Sequence, residues 1–370
     1  MLSVIKESVA IKETFPFIKN MSSKLPNAAP IPDRPPLHLR GGFLCIAAPV
    51  VLTEACLSAP AVRAFRHFRP NSTLAIVCPE SQTALWEVMK EVDHVISYPD
   101  KASARQIAKA IQGCKVQFES AIAWEAGEVA KAFHKLNILQ RLGYPAKGLK
   151  SYLTDPVNVV VDSGPIEHRV RFYLNLVHGL GGSPFVKKTF ITPELAKPPE
   201  KPLIVLSPAS EYGMTYQWPV ENFVLLVEAY EAAHGEVDWL VLSGDSNNHK
   251  NSANEELKNK LGEKVKVDTE SWEIPQILDE LTRCSAVVSS DNILAHLAAH
   301  VGLPAAVIFG PNEPEWKRPL GRQSRVVRGH VACSPCFLAK CPLDMRCQDE
   351  VSVEMVLSQL EEALAERVAS

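Results

Sequence analysis

Short unbroken runs of Val, Ile, Leu and Ala, separated by longer stretches of helical periodicity, constrain this chain most. FLCIAAP (43–49), TLAIVCP (73–79), HVISYP (94–99) and ESAIAW (119–124) form a first set of runs. LIVLSPAS (203–210), WLVLSGD (239–245), KVKVD (264–268), AVVSSD (286–291) and AAVIFG (305–310) form a second. Between the early runs, CLSAPAVRAFRHF, SQTALWEVMKEV and SARQIAKAIQG repeat apolar residues at steps of three and four, the period of a helix with one buried face. A strand that is apolar on both faces must be covered on both, which is the environment of a parallel sheet between helices. The fold expected is α/β, with two doubly wound Rossmann-like domains facing a cleft. The divisions expected are a Pro-rich leader over 1–40, a first domain over 41–185, a second over 186–350 and a closing helix over 351–370.

Composition fits that reading. The 370 residues are 46% hydrophobic and 22% charged, which excludes collagen-like and wholly disordered classes. Charge is uneven: residues 1–150 carry 19 Lys+Arg against 12 Asp+Glu, while the whole chain has a net charge of −3. Nine cysteines are too few for a disulfide scaffold of this length, and several lie within apolar runs, as buried thiols do in a reducing compartment. No run is long enough to span a bilayer, and charges interrupt the N-terminal stretch MLSVIKESVAIKETF, so a cytoplasmic chain is expected.

In a doubly wound fold, ligands sit at the carboxyl ends of strands, where helix N-termini offer free amides. AVVSSDNILAHLAAHVGLPAAVIFGPNEPEW has that design. Its strand ends at Ser289-Ser290, Asp291 is a suitable N-cap, a helix follows over 292–301, and Gly302 and Pro304 stop it. The amides of Asn292 and Ile293 would then face the cleft, with His296 one turn on. The plainer alternative is an ordinary cap and a core histidine.

Those residues resemble glycosyltransferase family 9, the ADP-heptose lipopolysaccharide heptosyltransferases. The family pattern Asp-Ser/Thr-Gly, two residues, His-Leu-Ala, Gly-x-Pro and Phe-Gly is matched by Asp291, His296-Leu297-Ala298, Gly302-Leu303-Pro304 and Phe309-Gly310-Pro311, with Asn292-Ile293 in place of Ser/Thr-Gly. SPASEYGMTYQWPVENF (207–223) is similar to the family's Pro-Gly-Ala-x-Tyr-Gly-Pro-Ala-Lys-Arg-Trp-Pro loop. Tyr212-Gly213 and Trp218-Pro219 are kept, but the family's lysine falls on Tyr216 and its arginine on Gln217. In APVVLTEACLSAPAVRAF (48–65), Pro60, Ala61 and Arg63 match, and the catalytic Asp falls on Glu54. HRVRFYLNLVHGLG (168–181) is similar to the interdomain helix with its His-x-Val-x-x-Tyr-Leu, and the tail resembles the heptosyltransferase II branch.

The resemblance implies an inverting glycosyltransferase of GT-B architecture. It would move a heptose-type sugar from a nucleotide-diphosphate donor, expected to be ADP-heptose, to a lipopolysaccharide core acceptor at the inner membrane surface. Glu54 would be the base; otherwise it is a helix N-terminal acid stabilised by the dipole. Tyr212, Gly213, Tyr216, Asp291, Asn292, Ile293 and His296 would face the donor. Asp245 would contact the ribose or begin a loop, and Trp272 would stack on the base or fill the core. Arg63 and Arg66, spaced three apart, would meet an anionic acceptor or form a solvated face. No cofactor is required for such a transfer, and no nucleic-acid partner is expected. Cys333, Cys336, Cys341 and Cys347, spaced C-x2-C-x4-C-x5-C, could hold a structural zinc or an iron–sulfur cluster, or stay reduced thiols. Losing the loop lysine, the glycines and the Asp together also fits a non-catalytic sugar-nucleotide-binding or scaffold relative.

Overall fold

The computed structural model describes residues 37–158, 166–193, 195, 197–244, 252–265 and 272–369. It contains two wholly parallel sheets. The first runs β3(His94–Tyr98)–β2(Thr73–Pro79)–β1(Phe43–Ala47)–β4(Ser120–Ile122)–β5(Gln140–Gly143)–β6(Asp155–Pro156). The second runs β11(Ser324–Arg328)–β10(Ala305–Phe309)–β9(Ala286–Ser290)–β7(Leu203–Ser207)–β8(Asp238–Val241).

The two-residue alternation of a strand explains why these runs are apolar throughout. In β1, Leu44 and Ile46 turn to one face, where helices Leu52–Phe68 and Val170–Gly179 cover them. Cys45 and Ala47 turn to the other and meet Ile107 and Phe133 of the next two helices. The second sheet repeats the scheme: Ile204 and Leu206 pack under helices Val220–His234 and Val353–Ala369, while Val205 faces the opposite layer. The C-terminal helix therefore closes the second sheet, packing against β9, β10 and β11.

One apolar core continues from the first sheet into the second on their facing sides. Leu57, Val62 and Phe65 of helix Leu52–Phe68 belong to the same cluster as Leu294, Leu297 and Val301 of helix Ile293–Val301. At this junction His300 Nε2 lies 2.8 Å from the Leu85 carbonyl oxygen. Burial there, with help from the charge of Arg63, lowers the imidazole to about 4, so it is neutral at physiological pH.

Three strands went unread in the sequence: β5 and β6 with polar Gln140, Arg141 and Asp155, and the edge strand β11, whose two valines are flanked by arginines. The run 264–268 contributes only a single bridge, Val265 to Trp239, within its described residues.

Candidate active site

The loops that leave β1, β7, β9 and β10 meet between the sheets. Thr53 Oγ1 of the first half and Tyr212 Oη of the second are 3.1 Å apart. Glu54, in the first turn of helix Leu52–Phe68, is at the centre of this meeting point. Its Oε2 accepts hydrogen bonds from Arg169 Nε at 2.9 Å and from Tyr173 Oη at 2.5 Å. Its Oε1 is 3.2 Å from Lys317 Nζ. Burial alone would favour the neutral acid, but the Arg169 and Lys317 charges outweigh it and hold the carboxyl below its ordinary value. Arg169 is itself fixed, its guanidinium 4.0 Å above the Phe172 ring. Its backbone amide donates to the Trp316 carbonyl at 2.8 Å, which ties the 166–170 segment to the one that carries Lys317.

The loop over 207–223 is anchored at its far end. Trp218, fully buried, donates from its amide to Ser290 Oγ at 3.0 Å and from its indole to the Val351 carbonyl at 3.0 Å. Gly213 adopts φ +118°, and a Cβ there would come within 2.6 Å of the Ala339 carbonyl oxygen, so the position needs glycine twice over. Tyr216 is buried with its ring centroid 5.4 Å from that of Tyr212, and burial raises its phenol.

Helix Ile293–Val301 begins one residue later than expected, with Asn292 rather than Asp291 as its N-cap. Asn292 Oδ1 accepts from the Ala295 amide at 3.2 Å and from Ser289 Oγ at 2.8 Å. Its Nδ2 donates to Ser207 Oγ at 2.9 Å and to the Ala209 carbonyl at 2.7 Å. The amide side chain that replaces the family's small hydroxyl thus ties β9 to the end of β7. Asp291, freed from capping, accepts from Asn312 Nδ2 at 2.7 Å, and burial raises its carboxyl to about 6.

Glu211 adds a second acid. The residue as a whole is exposed, yet its carboxyl group is desolvated beside Asp291 and rises to about 7. The nearby Ile293 amide offsets part of that rise, which puts a carboxylate of the protein itself near the helix N-terminus where the resemblance puts a donor phosphate. His296 is buried and its imidazole is driven well below its ordinary value by desolvation, then by Lys317 and His168, so it brings no positive charge.

Several expectations need correction. Arg63 is 5% exposed, at the junction between the halves, 3.8 Å from Glu91. Arg66 spends its donors on the carbonyls of Glu91, Pro70 and Ser72 and on Asp93. Neither presents a basic face to an acceptor, because both hold down the turn after their own helix or its neighbour. Trp272 is half-buried and packs on the apolar core. Asp245 lies outside the described residues.

Among the described residues, no group of three or more His, Cys, Asp or Glu side chains, the four clustered cysteines included, is placed to hold an ion. Cys333 is exposed, whereas Cys347 is buried. Burial, and then the neighbouring Cys336, Cys333 and Cys341, push the Cys347 thiol up to about 11. What their segment does is brace the donor loop. Ser334 Oγ donates to the Gly310 carbonyl at 2.6 Å, and Gln348 Nε2 donates to that of Thr215 at 2.8 Å.

Arg169, Tyr173, Lys317, Glu211 and Asn312 were not picked out from sequence. Tyr173 had a signal, as the tyrosine of the interdomain helix pattern; Lys317, inside Glu-Pro-Glu-Trp-Lys-Arg-Pro, had none.

Two parallel α/β sheets with a carboxylate, two cations and a helix N-terminus at their junction define a GT-B-type fold with a cleft site. Residues 185–346 match the family described as glycosyltransferase family 9 (heptosyltransferase). That match spans under half of this chain, and over it the chain is similar to the heptosyltransferases of that family. It is 24% identical over 155 residues to lipopolysaccharide heptosyltransferase 2 of Escherichia coli K12, a stretch covering 38% of this chain and 40% of that protein. Lipooligosaccharide heptosyltransferase 2 of Haemophilus influenzae is 26% identical over 138 residues, 35% of this chain and 37% of the relative. The matched stretch is thus under half the length of these relatives. In overall fold, the E. coli ADP-heptose heptosyltransferase II structure superimposes with a TM-score of 0.69 at 18% identity, covering 88% of this chain and 99% of that one. A glycosyltransferase family 9 structure from Veillonella parvula gives 0.70 at 15% identity, with coverages of 90% and 100%.

Proposed function

We propose that the chain is an inverting glycosyltransferase that moves a heptose-type sugar from ADP-heptose to a lipopolysaccharide core acceptor. The half over 186–350 would hold the donor and the half over 41–185 the acceptor. The observation that carries this reading is the placement of Glu54. It is a carboxylate in the first turn of helix Leu52–Phe68, held below its ordinary value by the two cations beside it, Arg169 and Lys317. The acceptor hydroxyl attacks the anomeric carbon while its proton passes to Glu54. The bond from that carbon to the diphosphate oxygen breaks, and its electron pair leaves with ADP.

A cavity of about 120 Å³ in the first half is lined by Val50, Tyr98, Asp100, Glu125 and Glu128 among others, and the Glu54 charge is felt at Glu125. Carboxylates and a phenol suit the hydroxyls of a saccharide, and they take the acceptor role that Arg63 and Arg66 do not fill. No helix among the described residues is long and apolar enough to cross a membrane.

The test is incubation of the protein with ADP-heptose and a core lipid that lacks the accepting heptose. Transfer with inverted configuration is the expected result. Donor binding without turnover would mark a sugar-nucleotide-binding relative, and neither binding nor turnover with any sugar nucleotide would reject both readings.

Donor binding should also depend on pH. Glu211 and Asp291 are raised to about 7 and about 6, so both gain charge as the pH climbs through that range and oppose a diphosphate. ADP affinity measured by calorimetry is expected to fall between pH 5.5 and 8. Glu211→Gln should flatten the upper part of that curve; an unchanged slope would dismiss Glu211 as its source.

A further inference from the structure

The donor side of this cleft is short of positive charge. Tyr216 and Gln217 stand where the resemblance expects a lysine and an arginine, and neither side chain is a cation. Glu211 and Asp291 beside them are acids, and His296 is neutral. A diphosphate leaving group cannot be stabilised by tyrosine hydroxyls and amides against two acids without a counter-charge.

Two cations reach the site, and they differ in freedom. Arg169 is planar, stacked on Phe172 and bonded to Glu54, while its backbone is tied to Trp316. Lys317 has a compact ammonium on a four-carbon stem, at the last position of the short helix Pro314–Lys317. It is buried, its Nζ is 3.2 Å from Glu54 Oε1 and 6.0 Å from the centre of the Tyr212 ring, and its charge is felt at both Asp291 and His296. It therefore stands between the base and the helix N-terminus, within the field of both.

We propose that Lys317 stands in for the missing loop lysine: it binds the donor diphosphate, and in moving to it uncovers Glu54 Oε1. This rests on the glycosyltransferase reading above. In the structure Oε2 is filled by Arg169 and Tyr173, and the remaining lone pair of Oε1 lies beside the Lys317 ammonium, whose charge lowers its affinity for an acceptor proton. A diphosphate offers the ammonium more negative charge than one carboxylate does, and its arrival frees Oε1 for the proton. When the glycosidic bond breaks, the electron pair goes to an oxygen already paired with Lys317. Base and leaving-group stabiliser are thus exchanged through one side chain, and the donor must bind before the acceptor can be activated.

The experiment compares ADP and adenosine as calorimetric ligands of the full chain. Lys317→Met, with Lys317→Gln as a polar variant of similar length, should weaken ADP about 10- to 100-fold, the size of a lost charge-assisted hydrogen bond, and leave adenosine unchanged. Lys317→Arg should retain most ADP affinity. Adding Tyr216→Lys to Lys317→Met should restore it, since the charge then comes from the loop; a packing role for Lys317 would not be rescued this way. Equal loss for adenosine and ADP, no loss in either neutral variant, or no rescue by Tyr216→Lys overturns the proposal and leaves the transferase reading standing. Failure of the wild-type chain to bind ADP, GDP or UDP overturns both.

Discussion

Glu54→Gln is expected to lower kcat for sugar transfer about 10²- to 10⁴-fold, the range a positioned general base contributes. ADP affinity should stay unchanged or tighten. The substitution keeps the side chain's length, and its amide oxygen can still accept from Tyr173, but an amide cannot take the acceptor proton. It also removes the anion that engages Lys317, which is why the nucleotide should not bind less well. The two readouts separate chemistry from folding. Loss of both would point to a collapsed cleft, and wild-type turnover would remove Glu54 from the mechanism.

The same variant has a signature in stability. Glu54's carboxyl is held below its ordinary value of 4.5, so its stabilising effect is full above that value and is lost as pH falls through the lower folded value. Wild-type Tm should therefore show an acid-side decline that Glu54→Gln lacks, while at neutral pH the variant melts lower because Arg169 and Lys317 lose their partner. The group is 17% exposed, so solvent screening keeps the neutral-pH cost below the about 3–5 kcal/mol of a fully buried broken pair.

How far this site could be read from sequence depends on which residues faced a local constraint. The central strands were plain because burial on two faces demands continuous Val, Ile and Leu, as in β10, buried at every position. The strand–cap–helix unit at 286–301 was plain for the same reason. Its cap residue was misplaced by one because Asp and Asn are equally good caps, and only tertiary contacts made Asn292 the one that bonds β7. Arg63 and Arg66 looked like a basic face by spacing. Arg66 instead donates to the carbonyls at 70, 72 and 91, and Arg63 lies beside the Glu91 carboxylate, uses that no periodicity reveals. Lys317 was silent because it reaches Glu54 from 263 residues further along the chain, through the packing of two sheets rather than any motif. The basic excess of the first 150 residues likewise becomes local scaffolding at these positions, while the candidate active cation comes from the acidic remainder.

Asn292→Ala should be the most destabilising single change at the site. The side chain, 3% exposed, is the N-cap of helix Ile293–Val301 and also fills acceptor sites at Ser207 and Ala209 on the neighbouring strand's exit. Losing a cap costs about 0.5–2 kcal/mol, and each buried partner left unsatisfied adds about 1–3 kcal/mol. A total of about 3–5 kcal/mol is expected, because the Ala209 carbonyl and Ser289 Oγ cannot both find water in a dry site. Spread over a chain of this size, that corresponds to a Tm lower by roughly 4–6 °C. Asn292→Asp tests the assignment more finely. It keeps the capping acceptor but loses the donor to Ser207 and Ala209, and it places a second acid next to Asp291. It should therefore melt below wild type and bind ADP more weakly. If thermal melts of Asn292→Asp match the wild type, the bonds to Ser207 and Ala209 do not hold the helix against β7, and the helix N-terminus must be positioned by its apolar packing alone.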